Sequence, residues 1–329
     1  VAGAAAVKTP FPWFGSKSPA ARLIWSRLGD IKNYIEPFAG SLAVLLARPH
    51  WPFRSGRRIE IVNDLDGFLS NFWRAVKSDP DGVAFYADHP ISECDLVARR
   101  QWLHEQVDVV DRLKSDPEWF DPKIAGYWCW LVCATIADSF RGHGTSALPH
   151  LASGVGVLRE DLPAPPGWSP VVRGGVEDRR RRIVGFARQL ADRLRGVRVC
   201  CGDWTRVLSP CATVVLGETG VLLDPPYDVD GAGYGCDSAG VSAAVREWAI
   251  ANGDDPRLRI ALCGYVDEGH TDVMPPDWGC IKWRPRGGYN NIGCRAARPG
   301  SSANRERKRI WFSPHCLRPG LFDFNEELA

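Results

Sequence analysis

The stretch VLLDPPYDVDGAGYG, residues 221–235, sets an acid, two prolines and a tyrosine at the end of an apolar run. Val221, Leu222 and Leu223 read as the end of a buried strand, and Pro225 and Pro226 stop that strand because proline has no N–H to give a ladder. The chain therefore leaves the sheet at Asp224, at the C-terminal edge where open α/β folds place their ligands. A carboxylate, proline carbonyls and the ring of Tyr227 suit a planar amine. Carboxylate and carbonyl accept both hydrogens of an exocyclic NH₂ while the ring stacks on the base that carries it. An Asp-Pro-Pro turn with a packing tyrosine accounts for the same four residues, so the motif has to be read with the rest of the chain.

The 329 residues, 45% hydrophobic and 24% charged, are those of an ordinary globular protein with one large core or two smaller ones. This excludes disordered and fibrous classes. No apolar run approaches the roughly 20 residues of a membrane span. The opening VAGAAAV lacks the basic start of a secretory signal, so the expectation is a cytoplasmic protein with no membrane partner. The eleven cysteines are scattered, with neither a Cys-x2-Cys pair nor a zinc-spaced Cys/His cluster, which points to reduced thiols and no metal. His143 and His150 read as loop residues.

A formal net charge of +2 excludes a global basic field as an argument for nucleic acid. Arginine nevertheless outnumbers lysine by 33 to eight, and its fork suits phosphate and guanine contacts. A GC-rich coding sequence would raise arginine, alanine and glycine together and produce the same excess. Two clusters stand out: Arg179 to Arg182, and a second formed by Lys282, Arg284, Arg286, Arg295, Arg298, Arg305, Arg307, Lys308 and Arg309. The first begins the polar side of a helix, where it is either a solvated face or a phosphate contact.

The first third alternates as α/β chains do. A helix near Ala20 to Leu28 precedes a strand in KNYIEPF (32–38), a helix in LAVLLA (42–47), a strand in RRIEIVND (57–64) and a helix in LDGFLSNFWRAVKSD (65–79). From about residue 78 to 176 the texture changes. Trp102, Trp119, Trp128, Trp130 and Trp168 punctuate it, and SFRGHGTSALPHLASGVGV (139–157) and LPAPPGWSP (162–170) read as long loop. EDRRRRIVGFARQLADRLRG (177–196) is an amphipathic helix with Ile183, Phe186, Ala187, Leu190 and Leu194 on one face. VRVCCGDW (197–204), VVLGETGVLLDPPYD (214–228) and RLRIALCGYVDE (257–268) restore the α/β pattern, with a crossover helix around Ser242 to Asn252. The expected organisation is a core of residues 1–77 and 199–329 interrupted by a mostly helical insertion, residues 78–198.

IEPFAGS (35–41) puts a strand end, a glycine and a small residue just before a helix, a turn that lets backbone approach a cofactor closely. Asp64 ends the next strand about 28 residues beyond Glu36, where an acid takes ribose hydroxyls. Asp203, after the third strand, can accept an adenine amino group. Structural turns explain any one of these acids. Three acids and a DPPY at successive strand ends are harder to explain that way.

PFPWFGSK (10–17), YIEPFAGS (34–41), IVNDLDGFLSNFWRAVKSDP (61–80), LLDPPYD (222–228) and NRERKRIWFS (304–313) come in the order seen in Dam-like, D12-class adenine-specific DNA methyltransferases. The chain resembles that family over most of its length outside the insertion. The resemblance implies a Rossmann-like methyltransferase sheet, S-adenosylmethionine as methyl donor, and the N6 amine of an adenine in double-stranded DNA as acceptor. It further implies a target-recognition role for residues 78–198 and allows a cognate restriction nuclease as partner. Trp13, Gly15 and Lys17 match the family's N-terminal cofactor segment, and Glu36, Phe38 and Gly40 its glycine loop. Asp64 matches the ribose acid, Asp203 is assigned to the adenine of the cofactor, and Asp224, Pro225, Pro226 and Tyr227 match the catalytic tetrad. Where the family usually has a second glycine this chain has Leu42. Cytosine N4, RNA or a protein amide as acceptor, and a DNA-binding relative without catalysis, stay open on these residues.

Overall fold

In the computed structural model, residues 7–13, 15–53, 56, 58–90, 92–134, 176–226, 240–283 and 306–318 are described. Tyr227, His143, His150 and Trp168, both long loop segments, and Arg284, Arg286, Arg295, Arg298 and Arg305 lie outside them. The chain divides into two compact units, at 16/17, 63/64 and 203/204. Helices and strands are numbered below in chain order.

The first unit takes Lys17–Asn63 and the described residues from Trp204 onward. Its strands are β1 (Asn33–Glu36), β2 (Ile59–Asp64), β4 (Thr219–Leu223), β5 (Leu258–Tyr265), β6 (Gly279–Lys282) and β7 (Lys308–Phe312), side by side in the order β2-β1-β4-β5-β7-β6. β1 runs parallel to β2 and β4, and β4 to β5, whereas β7 is antiparallel to both β5 and β6. Every residue of β1 and β4 is buried, as parallel strands covered on both faces require. β2 and β4 flank β1 on opposite sides, so strand order reverses at the β1/β4 boundary, the switch point where such sheets bind ligands. Helices α1 (Ala21–Leu28), α2 (Ala43–Leu46) and α9 (Val241–Asn252) belong to this unit. The α/β expectation holds.

Two features of the unit were not legible. Val214–Leu216 forms a 3-10 turn, and the strand begins only at Thr219. Gly217, at φ 94°, turns the chain between them, and the Asn33 side-chain amide donates to the Leu216 carbonyl at 2.7 Å. β6 and β7 likewise carried no strand signal, because Lys282, Lys308 and Arg309 break the apolar alternation that marks a strand.

The second unit takes Val7–Ser16 and Asp64–Asp203. It is mostly helical: α3 (Gly67–Ser78), α4 (Pro80–Ala87), α5 (Glu93–His104), α6 (Val109–Ser115), α7 (Pro122–Ala134) and α8 (Val176–Leu194), with one strand, β3 (Val197–Cys201). Its centre is aromatic. Phe11 lies 5.0 Å from Trp128, 5.2 Å from Phe72 and 5.7 Å from Trp73 between ring centroids, largely edge to face. Helix α7 reaches α4 because residue 126 is glycine: a Cβ there would come within 2.8 Å of the Val83 carbonyl oxygen. Ile183, Ala187, Leu190 and Leu194 of α8 are buried as the periodicity required, and Phe186 is half-buried.

Side-chain caps fix the helix starts. Asp66 accepts from the backbone N–H groups of Phe68 and Leu69 at 2.9 and 3.3 Å, and Asp121 does the same for Lys123 and Ile124 at 2.7 and 2.8 Å. Asp66→Ala is expected to cost about 1 kcal/mol, read as a lower denaturation midpoint, because orphan donors at the start of α3 lose their acceptor.

The run Arg179 to Arg182 does not act as one surface. Arg179 is largely buried and pairs with Asp88, the residue after α4, at 2.6 Å, while Arg181 stays exposed and pairs with Asp178 within α8. The cysteines among the described residues are free thiols.

Candidate active site

In the first unit, Asp224 is the first residue after β4, and Glu36 is the last of β1. The register Ile35↔Val221 puts both at the same edge of the sheet, beside the switch point. Proline at 225 ends the ladder at once, and Asp224 points its carboxylate to Lys17, whose ammonium sits 2.5 Å from both oxygens. Lys17 is only 3% exposed and Asp224 22%. Their attraction is therefore little screened by solvent, yet the carboxylate keeps a solvent-facing side. A carboxylate offers about four lone-pair sites, of which Lys17 engages two.

The loop between β1 and α2 is shaped from below. One oxygen of buried Glu36 accepts from the Tyr34 hydroxyl and from the Leu45 backbone N–H, each at 2.7 Å, so this acid caps α2. Burial, and then the Glu36 charge, push the Tyr34 phenol well above its ordinary range. Ala39 N–H donates to the Asn63 carbonyl, and the Asn63 amide to the Pro37 carbonyl, which ties the loop to the end of β2. Gly40 takes φ 48°, and Leu42, at the N-cap of α2, takes φ 54° and ψ 29°. The departure from the family pattern thus falls on a left-handed residue, where leucine costs roughly 1–2 kcal/mol more than glycine. Full burial of the Leu42 side chain offsets that cost. The half-exposed Phe38 ring lies 6.2 Å from Trp204. A left-handed glycine, an aromatic pair and a capped helix start at a sheet edge fit a nucleoside cofactor such as S-adenosylmethionine.

In the second unit, Trp13 lies 6.1 Å from Trp128, and a turn closed by Ser16 N–H to the Trp13 carbonyl, with Gly15 at φ 75°, follows it. Asp64 and Asp203 come together: Gly202 N–H donates to the Asp64 carbonyl at 3.0 Å, which sets Asp203 next to it and exposed. One Asp64 oxygen accepts from Asp66 N–H at 3.0 Å.

Residues 13–103 match the model of the D12 class N6 adenine-specific DNA methyltransferase family. The matched segment holds Trp13, Gly15, Lys17, Glu36, Phe38, Gly40 and Asp64, and over it the chain is similar to the family that the sequence resembles. Asp203 and the DPPY tetrad lie beyond it. The D12 description supports an enzyme that methylates adenine in DNA and, with it, S-adenosylmethionine as the general methyl donor. No curated protein matches the chain. Among the described residues no helix is long and apolar enough to cross a membrane, and no group of three His, Cys, Asp or Glu could hold a metal ion.

Sequence reasoning did not find the Lys17–Asp224 pair, the Trp204 partner of Phe38 or the capping role of Glu36. The closeness of Glu36 to the helix start seven residues on is the one signal for the last.

Proposed function

We propose that this protein transfers a methyl group to the N6 amine of adenine in double-stranded DNA, with Asp224, Pro225, Pro226 and Tyr227 as the catalytic tetrad. The observation that carries the reading is a buried-edge carboxylate at the switch point, followed at once by two prolines and held by a lysine of the D12 segment. S-adenosylmethionine, when bound, supplies an electrophilic methyl on sulfur. Asp224 and the Pro225 carbonyl accept the two amine hydrogens and so orient the nitrogen. Asp224 also stabilises the positive charge that develops on that nitrogen, a term that grows as solvent is excluded. Holding the amine in place contributes on the order of 7 to 11 kcal/mol, so no covalent enzyme intermediate is required. The base must leave the duplex to reach the edge, at a cost of a few kcal/mol, and Tyr227 gives it a ring to stack on.

The proposed cofactor roles follow the motif residue by residue. Phe38 and Gly40 face the nucleoside from the loop that Glu36 shapes, and Lys17 acts through Asp224. Asp64 takes the ribose and Asp203 the adenine, with Trp13 and Gly15 completing the N-terminal segment. Residues 78–198 are proposed to recognise the target sequence.

Nucleoside mass spectrometry of unmethylated duplex DNA incubated with the protein and S-adenosylmethionine tests this. N6-methyladenine is the expected product. N4-methylcytosine would move the acceptor to the other exocyclic amine, and cofactor binding without any methylated base would move it away from DNA.

A further inference from the structure

Arg99 of α5 is only 8% exposed, and its guanidinium lies over two rings of α7, with Cζ 4.4 Å from the Tyr127 centroid and 4.3 Å from that of Trp130. Tyr127 and Trp130 stand three residues apart and so share one face of their helix. Both rings are braced: Trp130 Nε1 donates to the His89 carbonyl at 2.8 Å, and Tyr127 packs edge to face on Trp102 at 5.5 Å and on Tyr86 at 5.7 Å. A second cation joins the cluster. Lys123, one turn before Tyr127, sets its Nζ 4.4 Å from the Trp102 centroid and 5.6 Å from that of Tyr127. Lys123, Trp102 and Tyr127 are half-buried, so the cluster reaches the surface of the second unit.

Among the described residues no acid pairs with either cation. Arg99 Nη1 is buried and has no hydrogen-bond partner among them, and neither Arg99 nor Lys123 has a carboxylate within ion-pair distance. Asp88 is engaged by Arg179 at 2.6 Å. Burial first holds the Arg99 guanidinium below its ordinary range, and Asp95, one turn back on α5, opposes this only in part. Burial and then Arg99 push His89 down as well, toward the neutral ring. A buried cation without an acceptor is costly in the unliganded chain, and an anion that supplies the acceptor removes that cost. Stacking uses the faces of a guanidinium and leaves its edge of N–H donors, the fork that phosphate oxygens fit.

Resting on the proposed function, we propose that Arg99 and Lys123 form a binding site for a phosphate group, which in that reading is a backbone phosphate of the DNA. Arg99 supplies fixed donors, and Lys123 adds a point charge on a flexible stem. The rings of α5 and α7 hold the guanidinium before the ligand arrives, so little side-chain freedom is lost on binding. Such a contact reads no base. It fixes the register of the duplex on the second unit and weakens as salt rises.

Fluorescence anisotropy of a labelled, mixed-sequence, unmethylated duplex with the full chain, read across a salt series, tests this. Arg99→Gln should weaken binding about tenfold and Lys123→Met by less, each making the fall of log affinity with log salt shallower by about 0.9. Arg99→Lys keeps a charge but not the fork, so it should retain the salt slope and only part of the affinity. Arg257→Gln removes an exposed cation of the first unit that pairs with Asp255, and should change neither quantity. Unchanged affinity and slope in folded Arg99→Gln and Lys123→Met, a loss of affinity without the change in slope, or an equal loss in Arg257→Gln overturns the inference. Circular dichroism checks folding, and where Arg99→Gln does not fold, Lys123→Met decides. Methylation of the same duplex by the wild-type chain reads the proposed function separately. A wild-type chain that neither binds nor methylates the duplex sinks that function, and inorganic phosphate then decides the site: a shift of the Arg99 Nε–H NMR signal keeps it for a phosphate of another source, and no shift overturns it.

Discussion

Asp224→Ala is expected to lower methyl transfer by about 10²–10³-fold or more, because under the proposed function its carboxylate both orients the acceptor amine and stabilises the charge formed on it. S-adenosylmethionine binding, read by calorimetry, should persist. The variant also strips the nearly buried Lys17 of a carboxylate 2.5 Å away, so some loss of stability accompanies the loss of rate. Asp224→Asn separates the two effects. It keeps the shape and one acceptor oxygen and removes the charge, so the rate should fall almost as far while the denaturation midpoint moves less. Retained turnover in either variant would show that the reacting amine is held elsewhere.

The largest expected effect on stability belongs to Arg48. Its guanidinium is buried, donates to Glu60 at 3.0 Å and to the Ile31 carbonyl at 2.5 Å, and lies 4.7 Å from the Phe53 ring centroid and 5.3 Å from that of Trp25. Arg48→Met should destabilise the protein by about 3–5 kcal/mol, since Glu60 loses this cation in a site with little water. The double variant Arg48→Met with Glu60→Gln should recover a large part of that loss. Urea denaturation of the three proteins checks both statements, and a double variant no better than the single one would place the cost in lost packing around Trp25 and Phe53.

Much of the fold was written in local pattern. The strand readings in KNYIEPF, RRIEIVND and VVLGETGVLLDPPYD hold at 33–36, 59–64 and 219–223, and the 3.6-residue spacing of Ile183, Ala187, Leu190 and Leu194 is a buried helix stripe. Each depends on which face of a short segment avoids water, and neighbours in sequence decide that. β7 escaped the same reading. Its charged residues at 308 and 309 belong to a strand whose polar groups are accommodated by partners on β6 and by the ring of Trp283. Arg179 likewise looked like one of four surface arginines until α4 brought Asp88 to it.

By itself the sequence determined the order of β1 to β5, the acids that close the strands, and the proline stop that exposes Asp224. These follow from propensity, periodicity and the missing proline N–H, all of which act within a few residues. Only the tertiary structure decided that Lys17 meets Asp224 across 207 positions, that Glu36 spends its carboxylate on the start of α2, and that Lys308 shares a tryptophan with Lys17. Those meetings depend on which strands lie side by side, and strand order is set by the burial of whole faces rather than by any residue's neighbours in the chain.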